Sequence, residues 1–214
     1  VRAMRAELDA VRPGAHLSFD TLGRPGNYPL ERALARGGAD AVLVIGADSL
    51  CRTTVEGFIS LEAVADRRCE PMSRNRQGIN IGEGSAVFLL SSLPARLELL
   101  GAGESCDAFH LSSPEPEGKG AEGAMLHALS DAKLRPDEIG YVNLHATGTA
   151  KNDAMESLAM SRVFPSGIPC SGTKPLTGHT LGAAGAVEAA ICCFAMEADF
   201  IPRHVWDGQP DPQL

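Results

Sequence analysis

The sequence is poor in aromatic residues and in positive charge. Phe, Trp and Tyr make up 5% of its 214 residues, and 19 Lys and Arg stand against 27 Asp and Glu, for a formal net charge of -8. This balance excludes a general nucleic-acid binder, because such proteins need a basic surface. The 44% of hydrophobic residues is enough to bury a core, which excludes a disordered chain.

Long hydrophobic runs and paired cysteines are missing as well. A membrane span needs roughly 18 uncharged apolar residues, and the best candidate, 186–196, is short and contains Glu188. Residues 1–20 lack the apolar core of a signal peptide. The six cysteines form no CxxC pair and have no metal-ligand spacing. We therefore expect a cytoplasmic protein that binds neither a membrane nor a nucleic acid.

Strand and helix patterns alternate along most of the chain, which predicts an α/β layered fold. Residues 1–36 give no clear pattern beyond a short helix over 4–11. The run at 41–45 is continuously apolar, which is typical of a strand buried on both faces. The remaining predicted elements are strands over 85–90, 96–108, 141–145, 169–171 and near Ile201, and helices over 56–64, 121–133, 153–164 and 181–197.

Two short segments place a histidine between a predicted strand and a predicted helix. They are LHATGT at 144–149 and TKPLTGHTLGAAGAVE at 173–188. In open α/β sheets, ligands bind at the edge where the strands end. The simpler alternative is that both are ordinary turn histidines, with glycines that allow tight packing.

The chemistry that these residues suit is stabilisation of a developing negative charge. Two neutral imidazoles can each donate one N–H to a single oxygen, as in an oxyanion hole. Lys174 nearby would favour the neutral form of both rings. A zinc site is less favoured, because no third ligand lies at a recognised spacing. Asp153 and Glu156 are interpreted as acids that open a helix and stabilise its dipole.

The same segments resemble the beta-ketoacyl synthase family, the condensing enzymes of fatty acid and polyketide synthesis in the thiolase-like superfamily. The family's HGTGT motif corresponds to HATGT at 145–149. Its lysine followed by GHxxGAAGxxE corresponds to Lys174 and 178–188 without a gap. The stretches 39–48, 75–90 and 109–118 agree too, so the resemblance covers residues 37–214.

The resemblance implies a thiolase-like layered αβαβα fold that is partial in this chain. Residues 1–36 are a poorly assignable N-terminal stretch, 37–95 would end the N-terminal half, and 96–214 would form a truncated C-terminal half.

The implied activity is that of a beta-ketoacyl-[acyl-carrier-protein] synthase in fatty acid, polyketide or aryl polyene synthesis. Malonyl on acyl carrier protein would lose carbon dioxide, and the resulting enolate would attack an acyl chain held on a cysteine. His145 and His179 would stabilise the enolate, and Lys174 would orient both rings. The supporting residues would be Glu188, Thr147, Thr149 and Gly178.

The family also implies the partners. No metal or dissociable cofactor is expected, because the phosphopantetheine arm arrives with the acyl carrier protein. A homodimer, or a heterodimer with another synthase subunit, is expected as well.

The nucleophile departs from the family pattern. The family's cysteine lies upstream of the strand at 41–45, where an ungapped count lands on Asp20, and no cysteine precedes Cys51. Three interpretations are open: a portion of a longer protein, a truncated product, or a non-catalytic subunit of the chain-length-factor type. The abrupt loss of resemblance before residue 37 favours the first of these, because a degenerate paralogue would keep the surrounding helix pattern.

Overall fold

The computed structural model describes residues 41–110 and 112–214. The predicted helix over 4–11 and the rest of the N-terminal stretch over 1–36 lie outside the described residues. The elements in chain order are β1 (Ala41–Asp48), α1 (Arg52–Ser60), β2 (Gly84–Ser91), α2 (Lys119–Ala132), a 3-10 turn (Pro136–Glu138), β3 (Val142–Leu144), α3 (Ala150–Val163), β4 (Cys170–Gly172), α4 (Lys174–Thr177), a second 3-10 turn (Leu181–Ala183) and α5 (Ala184–Ala198).

The chain divides into two compact units. The larger consists of Val44–Phe88 and Pro94–Leu214 and carries every candidate site residue. The smaller consists of Val1–Leu43 and Leu89–Leu93, of which the structure describes 41–43 and 89–93. The predicted boundary between halves at 95 and 96 stays a prediction.

Strands β3 and β4 pair in parallel and set up the site. Val142 lies opposite Cys170, and Leu144 lies opposite Gly172. Because the two strands run in the same direction, the residues that follow them emerge at one edge of the sheet. His145 and Lys174 therefore start from neighbouring positions. Strands β1 and β2 form a second two-stranded sheet.

A small core beneath this sheet joins α2 and α3. Leu129, Val163 and Phe164 are buried together, and Met125 and Val142 pack against them. Met125 and Leu129 are one turn apart on α2, so one face of this helix contacts the core. Burial of each large side chain stabilises the fold by roughly 1.5–3 kcal/mol, so the core anchors α3 against the strand that leads to His145.

Several predicted boundaries are wrong, for local reasons. The described residues contain no strand over 96–108 or at Ile201. Strand β1 runs on through Gly46 and alternates between exposed and half-buried residues, so it is not buried on both faces. Helix α3 begins at Ala150 rather than at Asp153, because the Thr149 hydroxyl accepts a hydrogen bond from the Asn152 N–H and caps the helix earlier.

The last helical run is more apolar than the sequence pattern indicated. Over the described residues, Leu181–Ala198 is the one helical stretch long and apolar enough to cross a membrane, with a mean hydropathy of 1.5. Core helices of globular proteins reach the same length and hydropathy, so this property alone does not indicate a membrane span. The run contains Glu188, whose carboxylate bonds Lys174, which ties this helix to the candidate site.

Candidate functional site

His145 lies in a loop that a buried carboxylate holds in shape. Glu156 on α3 is buried, and its two oxygens accept hydrogen bonds from the backbone N–H groups of His145 at 2.6 Å and Ala146 at 2.7 Å. A carboxylate that accepts two N–H donors fixes both the position and the angle of the backbone. The orientation of the histidine therefore depends on helix α3.

A second buried carboxylate holds the next segment of the same loop. Asp153 is fully buried and accepts hydrogen bonds from the N–H of Gly148 at 3.1 Å and of Met72 at 2.8 Å. The interpretation of Asp153 and Glu156 as structural acids is confirmed, and Asp153 lies in the first turn of α3 as expected. The sequence did not indicate that both carboxylates also bind the backbone of the histidine loop. The sequence signal was a pair of carboxylates in the helix that follows the motif.

His179 is held from the opposite side by the segment 80–82. Its N–H donates to the Asn80 carbonyl at 2.6 Å, and its own carbonyl accepts from the Gly82 N–H at 3.0 Å. Gly178 has φ 69°, and a Cβ there would lie 2.7 Å from the Gly82 backbone. Glycine is needed at Gly178 for this close approach, which brings His179 to the sheet edge.

The two rings meet edge to face, and both are fixed in the same tautomer. Their centroids are 5.1 Å apart with an interplanar angle of 85°. The Nδ1 of His145 accepts from Lys174 Nζ at 3.3 Å, and the Nδ1 of His179 accepts from the Leu181 N–H at 3.2 Å. A neutral ring whose Nδ1 accepts carries its hydrogen on Nε2. Both histidines can therefore donate an Nε2–H.

Both rings are neutral at physiological pH. Desolvation by the surrounding protein, then the positive charge of Lys174 and then His179 lower the pKa of His145 to about 3. Burial and Lys174 lower the pKa of His179 to about 4. His145 remains exposed on one side and His179 is half-buried. The Nε2–H groups of His145 and His179 are therefore two neutral hydrogen-bond donors, and we call this pair the double donor.

Lys174 is buried, and its ammonium group contacts His145 and Glu188 rather than solvent. Its side chain is buried, and Nζ bonds His145 Nδ1, the His145 carbonyl and a carboxylate oxygen of Glu188. An ammonium group has three N–H donors, so these contacts use all of them. Burial raises the pKa of Glu188, and the contact with Lys174 opposes this rise.

The two predicted threonines lie in the loop between His145 and α3. The hydroxyls of Thr147 and Thr149 lie 3.0 Å apart, and Thr147 is buried. A cavity of about 550 Å³ lies beside the first turns of α3, and Lys151 is part of its lining. Its other lining residues are Phe109, His110, Ser113, Pro114, Pro116, Ala150 and Ala154.

Cys69, Cys51 and Cys170 differ in burial, and burial decides how readily each thiol ionises. Cys69 is buried and lies against Gly148, and burial raises the pKa of its thiol. Cys51 precedes α1 and is exposed, and a hydrogen bond with Thr54 lowers its pKa. Cys170 begins β4 and is exposed. Over the portion of the chain that the structure describes, no three His, Cys, Asp or Glu side chains could hold a metal ion.

Comparison with known protein families gives two adjoining matches. Residues 97–206 match the family described as beta-ketoacyl synthase, C-terminal domain. Residues 30–95 match beta-ketoacyl synthase, N-terminal domain.

Curated relatives are similar over most of the chain. The 3-oxoacyl-[acyl-carrier-protein] synthase 2 of Synechocystis sp. is 32% identical over 200 residues, which cover 85% of this chain and 48% of the relative. Nodulation protein E of Rhizobium leguminosarum bv. trifolii is 36% identical over 203 residues, which cover 88% of this chain and 50% of the relative. The chain thus spans about half the length of the curated relatives it matches.

Solved structures agree with the sequence matches. A chain of the ketosynthase (ApeO) in complex with its chain length factor (ApeC) from Xenorhabdus doucetiae superposes with a TM-score of 0.82 at 46% identity. It covers 86% of this chain, which in turn covers 47% of it. A beta-ketoacyl synthase from Burkholderia phymatum superposes with a TM-score of 0.80 at 32% identity, covering 86% of this chain and 48% of its own.

Proposed function

Because the chain belongs to the beta-ketoacyl synthase family and has a portion of the family's thiolase-like fold, we propose that the protein acts in decarboxylative condensation. The substrate is malonyl carried by acyl carrier protein, and the product is a β-ketoacyl chain longer by two carbons. The observation that carries this proposal is the pair of neutral histidines with both Nε2–H groups available.

The decarboxylation step uses both donors. The bond between the malonyl carboxylate and its α-carbon breaks, carbon dioxide leaves, and the electron pair moves onto the thioester oxygen as an enolate. Nε2–H groups of His145 and His179 donate to that oxygen as its charge grows, so the interaction is stronger in the transition state than in the ground state. Two neutral rings can lie at this distance without the repulsion that a pair of imidazolium ions would feel.

The condensation step needs an acyl group on a cysteine. The enolate carbon attacks the acyl thioester carbonyl, a carbon–carbon bond forms, and the cysteine leaves as thiolate. Buried Cys69 does not fit this role, since its raised pKa keeps the thiol protonated. Exposed Cys51 follows β1 rather than preceding it. The acyl-bearing thiol therefore comes from sequence other than these two residues.

The cavity beside α3 supports acyl carrier protein as a partner. Its apolar lining at Phe109 and Pro114 suits the methyl groups of a phosphopantetheine arm, and Lys151 in the same lining suits the phosphodiester. Along the chain, Thr147 and Thr149 separate His145 from Ala150 and Lys151 of the cavity lining. We propose that the phosphopantetheine arm enters through this cavity. We also propose that the protein dimerises with itself or with another synthase subunit. The proposed location is the cytoplasm.

A malonyl-carrier decarboxylation assay tests the proposal. The wild-type chain is incubated with malonyl-acyl carrier protein, and the conversion to acetyl-acyl carrier protein is followed by mass spectrometry. His145→Ala and His179→Ala should each lower the rate by about 100-fold or more, the scale of one oxyanion-hole donor. The exposed His127→Ala is the matched control and should retain the wild-type rate. Retained activity in His179→Ala would overturn the assignment.

The second candidate is a non-catalytic subunit that pairs with an active synthase. The absence of cysteine from residues 1–50 favours it. Such a subunit would raise the condensing activity of a partner synthase without decarboxylating malonyl on its own. Co-purification with a synthase, together with no loss of joint activity in the His179→Ala variant, would support this alternative.

A further inference from the structure

The segment after Trp206 is bound along its length to the loop at 72–76. The Arg74 N–H donates to the Gln209 carbonyl at 3.0 Å, and the Asp211 N–H donates to the Met72 carbonyl at 3.1 Å. Ser73 and Pro210 form an isolated antiparallel bridge. These backbone hydrogen bonds hold the C-terminal segment against the loop.

An arginine lies at the centre of this contact. Arg76 donates from one guanidinium nitrogen to the Asp211 carboxylate at 2.5 Å and to the Ser73 carbonyl at 2.8 Å. Its side chain is only 11% exposed. Among the described residues its buried Nε has no hydrogen-bond partner. That nitrogen faces the Asp153 carboxylate at 3.9 Å.

Asp153 in turn holds the loop that carries His145. Its carboxylate accepts from Gly148 and from Met72 and is fully buried. A buried carboxylate is costly unless a positive charge compensates it. Arg76 is the cation that faces it within ion-pair distance over the described residues.

The other groups around Asp153 do not supply this charge. Glu156 lies on the same helix and is acidic. Cys69 packs from the neighbouring loop, and burial raises its pKa. Burial raises the pKa of Asp153 itself, whereas its hydrogen bonds and then the charge of Arg76 lower it. The effect of Arg76 therefore favours the ionised form that both N–H donors require.

We propose that Arg76, clamped by Asp211, is a positioning residue that keeps the Asp153 carboxylate against the Gly148 backbone and so fixes the loop bearing His145. The C-terminal segment thereby controls the geometry of the double donor without touching it. An effect of Arg76 on decarboxylation rests on the proposed function, whereas its effect on the order of the loop bearing His145 does not.

The experiment compares Arg76→Met and Arg76→Lys with the matched control Arg74→Met. Arg74 is exposed and bonds the same segment through Gln209, but it has no contact with Asp153 among the described residues. Amide hydrogen exchange at Gly148, measured by NMR, is the first readout. Arg76→Met should speed this exchange by about tenfold, Arg76→Lys should restore most of the protection, and Arg74→Met should resemble the wild type.

The second readout is the pH profile of malonyl decarboxylation. Without Arg76 the pKa of Asp153 rises further, so the acid limb should shift to higher pH in Arg76→Met and return towards the wild-type position in Arg76→Lys. A rate lowered equally at every pH, or Gly148 exchange equal to that of Arg74→Met, overturns the inference. If the wild type does not decarboxylate while the exchange pattern holds, the proposed function fails and the loop-ordering role stands.

Discussion

Single carboxylates decide the shape of the histidine loop. Glu156 uses both oxygens to accept backbone N–H groups, whereas a glutamine has one carbonyl oxygen and would place an amide N–H against a donor. We expect Glu156→Gln to lower the free energy of unfolding by about 1–3 kcal/mol, the cost of a buried donor left unpaired. Urea denaturation measures this change.

The matched control is Glu56→Gln on helix α1. That glutamate pairs with Arg52 on the surface, so its replacement should change stability by less than about 0.5 kcal/mol. Equal effects of the two substitutions would show that the Glu156 contacts do not stabilise the loop.

The histidines make stability depend on pH in a defined direction. In an unfolded chain they titrate near 6.5, whereas His145 and His179 titrate at about 3 and about 4 in the folded protein. As pH falls from neutral towards 4, the unfolded state binds protons that the folded state refuses, so these two residues reduce stability. The raised pKa values of Asp153, Glu156 and Glu188 act in the opposite direction.

The comparison that isolates the histidines uses a His145→Gln, His179→Gln double variant. Its free energy of unfolding should fall less between pH 7 and pH 5 than that of the wild type, when both are measured by urea denaturation. An identical pH dependence in the two proteins would mean that the folded rings titrate near their ordinary pKa.

At the scale of elements, the site depends on the contact between Gly178 and the segment before β2. Ala at Gly178 would combine an unfavourable backbone conformation with a Cβ 2.7 Å from Gly82. We expect Gly178→Ala to cost about 1–3 kcal/mol and to weaken the backbone bonds that hold His179. Thermal unfolding and the decarboxylation rate check the two effects.

Gly185→Ala provides the control for that substitution. A Cβ at Gly185 would meet nothing within 4 Å, and the residue lies in the first turn of α5. Alanine there should leave stability unchanged or raise it by a few tenths of a kcal/mol. A comparable loss in both variants would argue against a specific role for the Gly178 contact.

The elements that can be predicted from the sequence are those with local signals. A continuous apolar run predicts β1, the alternation of strand and helix patterns predicts β3 and β4, and the repeating Met125 and Leu129 predict α2. The placement of both histidines at one sheet edge follows from this order. The strand predicted over 96–108 is wrong because this segment pairs with no strand among the described residues.

The contacts that the sequence does not indicate are long-range ones. Asp153 binds Met72, and Arg76 binds Asp211, across many intervening residues. Neither pairing has a spacing that a helix or strand would produce, so a single sequence cannot indicate it. The motif predicts Lys174, but only the folded geometry shows that His145 and Glu188 use all of its donors.

At the scale of the whole molecule, the last prediction concerns the acyl-bearing thiol of the proposed reaction. The two N–H donors, His145 and His179, belong to the larger unit, whereas residues 1–50 contain no cysteine. The chain of 22.4 kDa, incubated with an acyl donor, should therefore gain no acyl group at the site. Intact mass spectrometry measures this directly.

Cys51, Cys106 and Cys170 are exposed thiols that could react with the donor without catalysis, and a hydrogen bond lowers the pKa of Cys51. Cys51→Ser should therefore reduce any adduct seen with the wild-type chain, and Cys51→Ser combined with Cys106→Ser and Cys170→Ser should abolish it, while both variants leave malonyl decarboxylation unchanged. An acyl adduct that persists in Cys51→Ser and depends on His145 would contradict this division, since it would place a working nucleophile among the remaining cysteines. Loss of the adduct with retained decarboxylation would mean that this sequence supplies the histidines for decarboxylation and that the acyl-bearing thiol lies outside it.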